Sequence, residues 1–169
     1  GGPHVIFGWG NTCVDGLVTD FLVEEQLPAG RETVCEGVVA SKYVSLAPVD
    51  AADFETPLQA LAAVDNELYY LPEYYYWDYE TPTTVACPFG GTLAFESVEE
   101  GEAFTLADCA FSEGFAMTGE GFYNYEEDLF TLDVSVSGLA DGALVYTRDT
   151  DWQLHVTGEY GGQAIDLSE

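Results

Sequence analysis

Basic residues are almost absent from this chain of 169 residues. Arg31, Lys42 and Arg148 are the only strong bases against 31 acidic residues, which gives a net charge of −28. Proteins that bind nucleic acid need clusters of lysine and arginine to displace the counterions of the phosphates. The charge balance therefore excludes nucleic acid as a partner and disfavours attachment to an anionic membrane surface.

Long apolar runs are missing as well. No stretch approaches the roughly 20 consecutive apolar residues that a membrane-spanning helix needs, so we predict no membrane insertion. Disorder is also disfavoured, because 14% of the residues are aromatic and 47% are hydrophobic, which is enough to build a core. The acids then lie on a folded surface, whose self-repulsion favours salty surroundings, bound divalent cations or assembly through uncharged patches.

The residues typical of catalytic sites are scarce. His4 and His155 are the only histidines, and neither belongs to a nucleophile motif such as G-x-S-x-G. Carboxylate pairs suited to a glycosidase arise by chance among 31 acids, so they discriminate nothing. We therefore predict no catalytic residue and a protein that is not an enzyme.

Calcium is the one cofactor that the sequence allows. The chain has no D-x-D-x-D-G loop, but its acidic turns offer the oxygen ligands that calcium prefers. A solvated acidic turn is the alternative interpretation. The weak candidates are Glu126, Glu127, Asp128, Asp149 and Asp151.

The four cysteines are even in number and contain no C-x-x-C pair, which argues against zinc and thioredoxin-type chemistry. Two disulfides formed in an oxidising compartment are expected, with four buried thiols as the alternative. Three pairings are possible, and we favour the local one, Cys13 with Cys35 and Cys87 with Cys109. We expect an extracellular or cell-surface protein, exported through a signal peptide that is already removed from this sequence.

Residues 87–169 alternate apolar and polar side chains between short, turn-like segments. Strands joined by such turns pair with their sequence neighbours, so the pattern predicts an antiparallel meander. One face is apolar, as in Leu132, Val134 and Val136, and the same face is predicted to carry Leu144, Tyr146, Trp152, Leu154 and Val156. The fold class is therefore mainly β, a meander or sandwich-like sheet packed on a single face.

The first half of the chain is predicted to precede this sheet as an extended N-terminal arm (1–11) and further elements of the same domain, which spans 12–169. Residues 12–26 are interpreted as a turn at Asp15-Gly16 and a strand, and residues 32–46 as one or two strands. Thr56-Pro57 with Gln59 forms a capping box, which predicts one short helix over 57–66.

Two segments, CPFGGTLAF and ADCAFSEGFAMTGEG, share a pattern of cysteines and glycines over residues 87–125. This pattern resembles secreted bacterial proteins with a disulfide-pinned β-meander, in which a C-x-x-G-G-T strand precedes a D-C strand and a G-x-x-x-T-G strand. The resemblance implies a Cys87–Cys109 bridge that pins the first hairpin of an open meander. It implies no catalytic residue.

The run YYLPEYYYWDYE at residues 69–80 contains seven aromatic side chains. Pro72 and Pro82 favour an edge strand or an extended loop, in which Tyr74 and Tyr76 point away from Tyr75, Trp77 and Tyr79. Three roles are open: packing in the core, a sugar-binding platform assisted by Glu73 and Asp78, or a protein–protein interface.

The arm PHVIFGW at residues 3–9 is apolar enough to add as a strand to the sheet of another subunit. Repeated head to tail, such a contact builds a fibre. Our hypothesis is a non-enzymatic structural subunit of an extracellular filament, a homopolymer joined by strand exchange; the alternative is a secreted glycan-binding or adhesion module that uses residues 69–80. The predicted interface residues are Val5, Ile6, Phe7, Trp9, Tyr74, Tyr75, Tyr76, Trp77 and Tyr79.

Overall fold

The computed structural model describes residues 12–28, 30, 33–35 and 45–169. The chain divides into two compact units, residues 1–42 and residues 43–169. The predicted arm (1–11) and most of the predicted strand over 32–46 lie outside the described residues. Thr33, Val34 and Cys35, which fall within that predicted strand, are not in a strand.

The first unit contains a helix, α1 (Thr12–Glu24), and the disulfide Cys13–Cys35. The predicted turn and strand over 12–26 are wrong. Apolar side chains at residues 14, 17, 18 and 21 follow the helical period, so the same sequence fits a helix as well as a strand. The helix ends at Glu24. The next residue, Glu25, has a left-handed backbone (φ 55°), and the N–H of Gln26 donates to the carbonyl of Asp20 at 3.1 Å.

The second unit is built on one eight-stranded antiparallel sheet in which every strand pairs with its neighbours in sequence, in the order β1 to β8. This arrangement confirms the predicted mainly β meander. The predicted meander covered residues 87–169, so it did not include the outermost strand β1. The strands are β1 (Thr83–Ala86), β2 (Thr92–Val98), β3 (Gly101–Ser112), β4 (Phe115–Asn124), β5 (Leu129–Gly138), β6 (Gly142–Arg148), β7 (Leu154–Tyr160) and β8 (Gln163–Ser168).

The inner face of the sheet carries the core. Leu132, Val134 and Val136 are buried on β5, opposite exposed Asp133 and Ser135 on the outer face, as the alternation predicted. The apolar residues predicted on β6 and β7 also face inward, with Leu154 partly buried at one end. Trp152 is the exception, because it precedes β7 in the turn and is 72% exposed.

Helix α2 (Pro57–Tyr70) covers the inner face and buries Leu58, Leu61, Val64 and Leu68. The predicted N-cap is confirmed, since the hydroxyl of Thr56 accepts the backbone N–H of Gln59 at 3.2 Å. The side chain of Gln59 completes the cap differently from a capping box, because its Oε1 accepts the N–H of Glu55 at 2.9 Å. The helix continues four residues beyond the predicted end because Leu68 extends its apolar side. Each such side chain contributes about 1.5–3 kcal/mol on burial.

Helix α3 (Pro72–Tyr75) is a single turn where we predicted an edge strand or extended loop. Pro72 caused this error, because proline disrupts a strand but fits the first position of a helix. A 3₁₀ turn at Ala51–Asp53 brings the described helical segments in the second unit to three, whereas the sequence predicted one.

The helical turn redistributes the aromatic side chains. Tyr74 and Trp77, three residues apart, now point the same way and pack on Phe95 at ring-centroid distances of 5.5 and 5.0 Å. Tyr75 and Tyr76 are exposed to solvent, as is Tyr79. The predicted alternation within this segment is therefore wrong, although part of the run does enter the core.

The Cys87–Cys109 disulfide pins the β1–β2 loop to a bulge in β3, where the register shifts between Leu106 and Cys109. At the bulge Asp108 is left-handed (φ 49°), its N–H donates to the hydroxyl of Thr118 at 3.0 Å, and that hydroxyl donates back to its carboxylate at 3.1 Å. A Cβ at Gly91 would lie 2.1 Å from the carbonyl oxygen of Asp108. The C-x-x-G-G…D-C pattern thus has a structural explanation in this chain.

The disulfide makes a testable contribution to stability. Replacing Cys87 and Cys109 together by serine should lower the free energy of unfolding by about 3 kcal/mol, because the bridge closes a loop of 22 residues in the unfolded chain. Urea unfolding followed by tryptophan fluorescence measures the change. Ser135→Ala on the outer face is the control, expected to change stability by less than about 0.5 kcal/mol. An unchanged urea midpoint in the double variant contradicts the prediction.

Candidate functional site

A cleft of about 780 Å³ lies in the second unit between α2, α3 and one end of the sheet. Because neighbouring strands run in opposite directions, the β4–β5 turn and the β6–β7 turn meet at this same end, beside the start of β3. Aromatic side chains form most of the wall. They are Tyr69, Tyr70, Tyr74, Tyr75, Tyr79, Phe104, Tyr123, Phe130, Tyr146 and Trp152.

Arg148 lies in the cleft wall and links the sheet to α2. Its Nε donates to Asp65 Oδ2 at 2.7 Å and its Nη2 donates to Oδ1 at 3.3 Å. The hydroxyl of Tyr146 donates to the same Oδ2 at 3.0 Å. The side chains of Arg148 and Asp65 are only 16% and 10% exposed, so this ion pair is largely withdrawn from water.

Two aromatic rings bracket the same guanidinium. Its Cζ lies 5.6 Å from the ring centroid of Phe130 and 4.8 Å from that of Trp152, distances at which a cation is attracted to a ring face. Burial opposes the charge on Arg148, but the hydrogen bonds and charge of Asp65 outweigh it and hold the pKa of the guanidinium above its ordinary value. The charge is therefore fixed in place and already paired.

Glu102 is a buried carboxylate at the start of β3, with 3% of its surface exposed. It accepts hydrogen bonds from the hydroxyl of Tyr74 and, at 2.7 Å, from that of Tyr125. Burial and the bond to Glu102 raise the pKa of Tyr125 to about 12 and that of Tyr74 well above its ordinary value. Two phenols, rather than a basic side chain, therefore satisfy this carboxylate.

The acidic turns predicted as calcium candidates flank the cleft. In the β4–β5 turn, Asp128 accepts the hydroxyl of Tyr123 at 2.6 Å, a bond that raises the pKa of Tyr123 to about 12. In the β6–β7 turn, the Oδ1 of Asp149 accepts the N–H groups of Asp151 and Gln153, each at 2.9 Å. Among the described residues no three His, Cys, Asp or Glu side chains converge to hold a metal ion. Glu126 and Glu127 donate their backbone N–H groups to Asn124.

Backbone strain is concentrated at the cleft. Five described non-glycine residues have a positive φ, and three of them line the cleft: Tyr79 (62°), Asp128 (48°) and Trp152 (60°). Bulky side chains rarely adopt this conformation, which costs about 1–3 kcal/mol each and persists only where the surroundings enforce it. Such outliers are typical of functional sites, and here two of them carry aromatic rings at the cleft.

The predicted interface residues that the structure describes lie in different places: one in the core, three at the cleft and one outside it. Trp77 is 8% exposed and its indole N–H donates to the carbonyl of Thr81 at 2.6 Å, so it belongs to the core rather than to a sugar platform. Tyr74, Tyr75 and Tyr79 line the cleft, and Tyr76 stacks edge-on against Tyr75 outside it. Val5, Ile6, Phe7 and Trp9 lie outside the described residues.

Sequence reasoning missed the residues that complete the cleft, above all Asp65, Glu102 and Arg148. They are far apart in the chain and meet only after the sheet and α2 have folded. One usable signal existed, because Arg148 is the only lysine or arginine after residue 42. A lone base among so many acids points to a specific pairing.

No protein-family model matches this chain, and no match was found among curated proteins or solved structures. The resemblance of residues 87–125 to secreted bacterial meander proteins therefore stays a prediction. In the part of the chain that the structure describes, every helix is too short or too polar to cross a membrane.

The ion pair in the cleft can be tested by mutation. Asp65→Asn leaves the largely buried guanidinium of Arg148 without its counter-charge and should lower the free energy of unfolding by about 3 kcal/mol. The double variant Asp65→Leu with Arg148→Met should be less destabilised than Asp65→Asn, because no charge remains buried. Thermal and urea unfolding of the three proteins measure this, and equal stability of the wild type and Asp65→Asn contradicts it.

The tyrosines predict a loss of stability in alkali. A raised phenol pKa means that the folded protein holds the proton more tightly than the unfolded chain, whose tyrosine pKa is about 10. The stabilisation is complete below pH 10 and is lost as the pH rises through the folded values of about 12 for Tyr123 and Tyr125. We expect the melting temperature to fall between these pH values, and Tyr125→Phe to reduce the fall. A melting temperature that is constant over this range would contradict the assignment.

Proposed function

We propose that this chain is an exported binding module without catalytic activity, whose aromatic cleft holds a carbohydrate. The observation that carries the proposal is the cleft itself, where seven tyrosines and Trp152 surround a space of about 780 Å³. Small-molecule sites typically measure about 300–1,000 Å³ and combine aromatic walls with a few polar groups. Aromatic faces stack on the C–H faces of sugar rings, and carboxylates and phenols bond to sugar hydroxyls.

The hydrogen-bond partners of Asp65 and Glu102 favour a protein that binds a saccharide over one that hydrolyses it. A glycosidase needs two carboxyl groups that reach the same glycosidic bond, one as acid and one as base or nucleophile. Asp65 is held by Arg148 and Tyr146, and Glu102 is held by two phenols. Groups held in this way support the shape of the cleft, which is the role we assign to them.

Export is supported by the two disulfides, Cys13–Cys35 and Cys87–Cys109, which are typical of oxidising compartments. An extracellular location also suits a module that binds glycans, since polysaccharides are exposed there. We place the protein outside the cell or at its surface on this ground.

Self-association into a filament is our second candidate. It is favoured by the open sheet, because the outer edges of β1 and β8 pair with no other strand in the described part of the chain. An exposed edge accepts an added strand from another chain. The donor that the sequence predicted, residues 3–9, lies outside the described residues, so the cleft supports carbohydrate binding more directly.

Trp152 gives the sharpest test of the carbohydrate proposal. Trp152→Ala and Trp152→Gly should each weaken binding at least about tenfold, because large aromatic residues dominate binding energy. Glycine adopts the left-handed conformation without strain, so Trp152→Gly should melt at or above the temperature of Trp152→Ala. Calorimetric titration with a panel of neutral tetrasaccharides, together with thermal melting, measures both effects.

Tyr76→Ala is the control for this titration, since Tyr76 is exposed but does not line the cleft, and it should bind as the wild type does. The proposal is wrong if the wild type binds no saccharide, or if Trp152→Gly binds as tightly as the wild type. Release of reducing ends from the panel would overturn the assignment as a non-catalytic module.

A further inference from the structure

We propose that the cleft prefers saccharides that carry protonated amino groups over neutral ones, and excludes acidic ones. This inference rests on the proposed carbohydrate-binding function and adds the charge class of the ligand. The carboxylates of the cleft, its aromatic rings and its single, already paired base among the described lining residues support it.

Carboxylates outnumber bases in the cleft. Asp65, Glu102, Asp128 and Asp149 all line it, and Arg148 is the single base among the lining residues. Arg148 is paired with Asp65, so three carboxylates remain beyond that ion pair (4 − 1 = 3). They accept hydrogen bonds from phenols or backbone N–H groups, which are neutral donors.

The sequence supplies no other strong base to neutralise them within the second unit, because Arg31 and Lys42 both precede it. His155 lies on the outer face of the sheet and pairs with Asp166 at 2.8 Å. A ligand that brings its own positive charge into the cleft therefore gains an interaction that the described residues of the second unit do not already supply.

The aromatic walls suit a cation as well as a sugar ring. Phe130 and Trp152 already hold one cation, the guanidinium of Arg148, against their rings. Tyr69, Tyr70 and Tyr75 form edge-to-face pairs at centroid distances of 5.1 and 6.5 Å. An ammonium group placed over such a face is attracted by the ring quadrupole, and most strongly where water is partly excluded.

The charge of the whole chain acts in the same direction. A net charge of −28 attracts cationic ligands and repels anionic ones over a distance that salt shortens. Uronic acids and sulfated sugars are therefore disfavoured both at long range and within the cleft. If the preference for amines arises in the cleft, removing the cleft carboxylates should abolish it. If it arises from the net charge of the chain, removing acidic residues elsewhere should weaken it equally.

The test compares three tetrasaccharides by calorimetric titration: a glucosamine tetramer, its fully N-acetylated counterpart and a galacturonic acid tetramer. The titrations are done at a pH of about 5.5, where the amines of the glucosamine tetramer are largely protonated. We expect one glucosamine tetramer per chain, bound at least about tenfold tighter than the acetylated tetramer, and no binding of the acid. The advantage should shrink severalfold between about 0.05 M and about 0.5 M sodium chloride.

Two matched variants locate the effect. Asp128→Asn with Asp149→Asn removes two charges from the cleft but keeps an acceptor oxygen for each turn, and it should remove most of the amine preference. Asp133→Asn with Glu159→Gln removes two charges from the outer face and should preserve it. Trp152→Gly should weaken glucosamine binding, which a non-specific attraction between opposite charges would not show.

The outcomes separate this inference from the proposed function. If the acetylated tetramer binds at the cleft as tightly as the amine, or if both charge variants behave alike, the charge preference is wrong and carbohydrate binding stands. If none of the three tetrasaccharides and no neutral saccharide binds, the proposed function fails and this inference fails with it.

Discussion

The ion pair between Arg148 and Asp65 is the contact on which the cleft depends. It joins the end of β6 to the middle of α2, takes the Tyr146 hydroxyl as a further partner and gives Trp152 a guanidinium to stack on. A largely buried ion pair is a poor source of net stability, because desolvation offsets most of the attraction. The ion pair instead holds α2, the sheet and the β6–β7 turn in fixed positions relative to one another around the cleft.

The rest of the second unit supplies the stability that this ion pair does not provide. The inner face of the sheet and the apolar side of α2 provide the hydrophobic stabilisation, and the Cys87–Cys109 bridge secures the edge of the sheet far from the cleft. The left-handed backbones of Tyr79 and Trp152 lie outside this core, and such conformations persist only where the surrounding structure holds them. The packed core that stabilises the fold and the cleft that we propose as the binding site are thus separated in space, as expected where a strained site lies on a well-packed scaffold.

The sequence predicted the sheet because alternation with period two is a local signal, which residues 92–160 carry strand after strand. The prediction failed at α1, because its apolar residues fit both the strand period and the helix period. It also failed at Pro72, because proline can interrupt a strand or begin a helix. The cleft was beyond local patterns, since the carboxylate of Asp65 and the guanidinium of Arg148 are 83 positions apart. The acidic turns and aromatic residues were recognised, but their meeting at one end of the sheet follows from the register of the folded strands.

The indole N–H resonances show whether the cleft receives a sugar against Trp152, as we propose. The chain has three tryptophans, so a two-dimensional spectrum resolves three indole signals. During titration with a glucosamine tetramer we expect a saturable shift of the Trp152 signal, whereas the signal of Trp77, whose buried indole donates to the Thr81 carbonyl, should not move. A Trp152 signal that stays in place while saccharide binds elsewhere, or shifts without saturation, would contradict it.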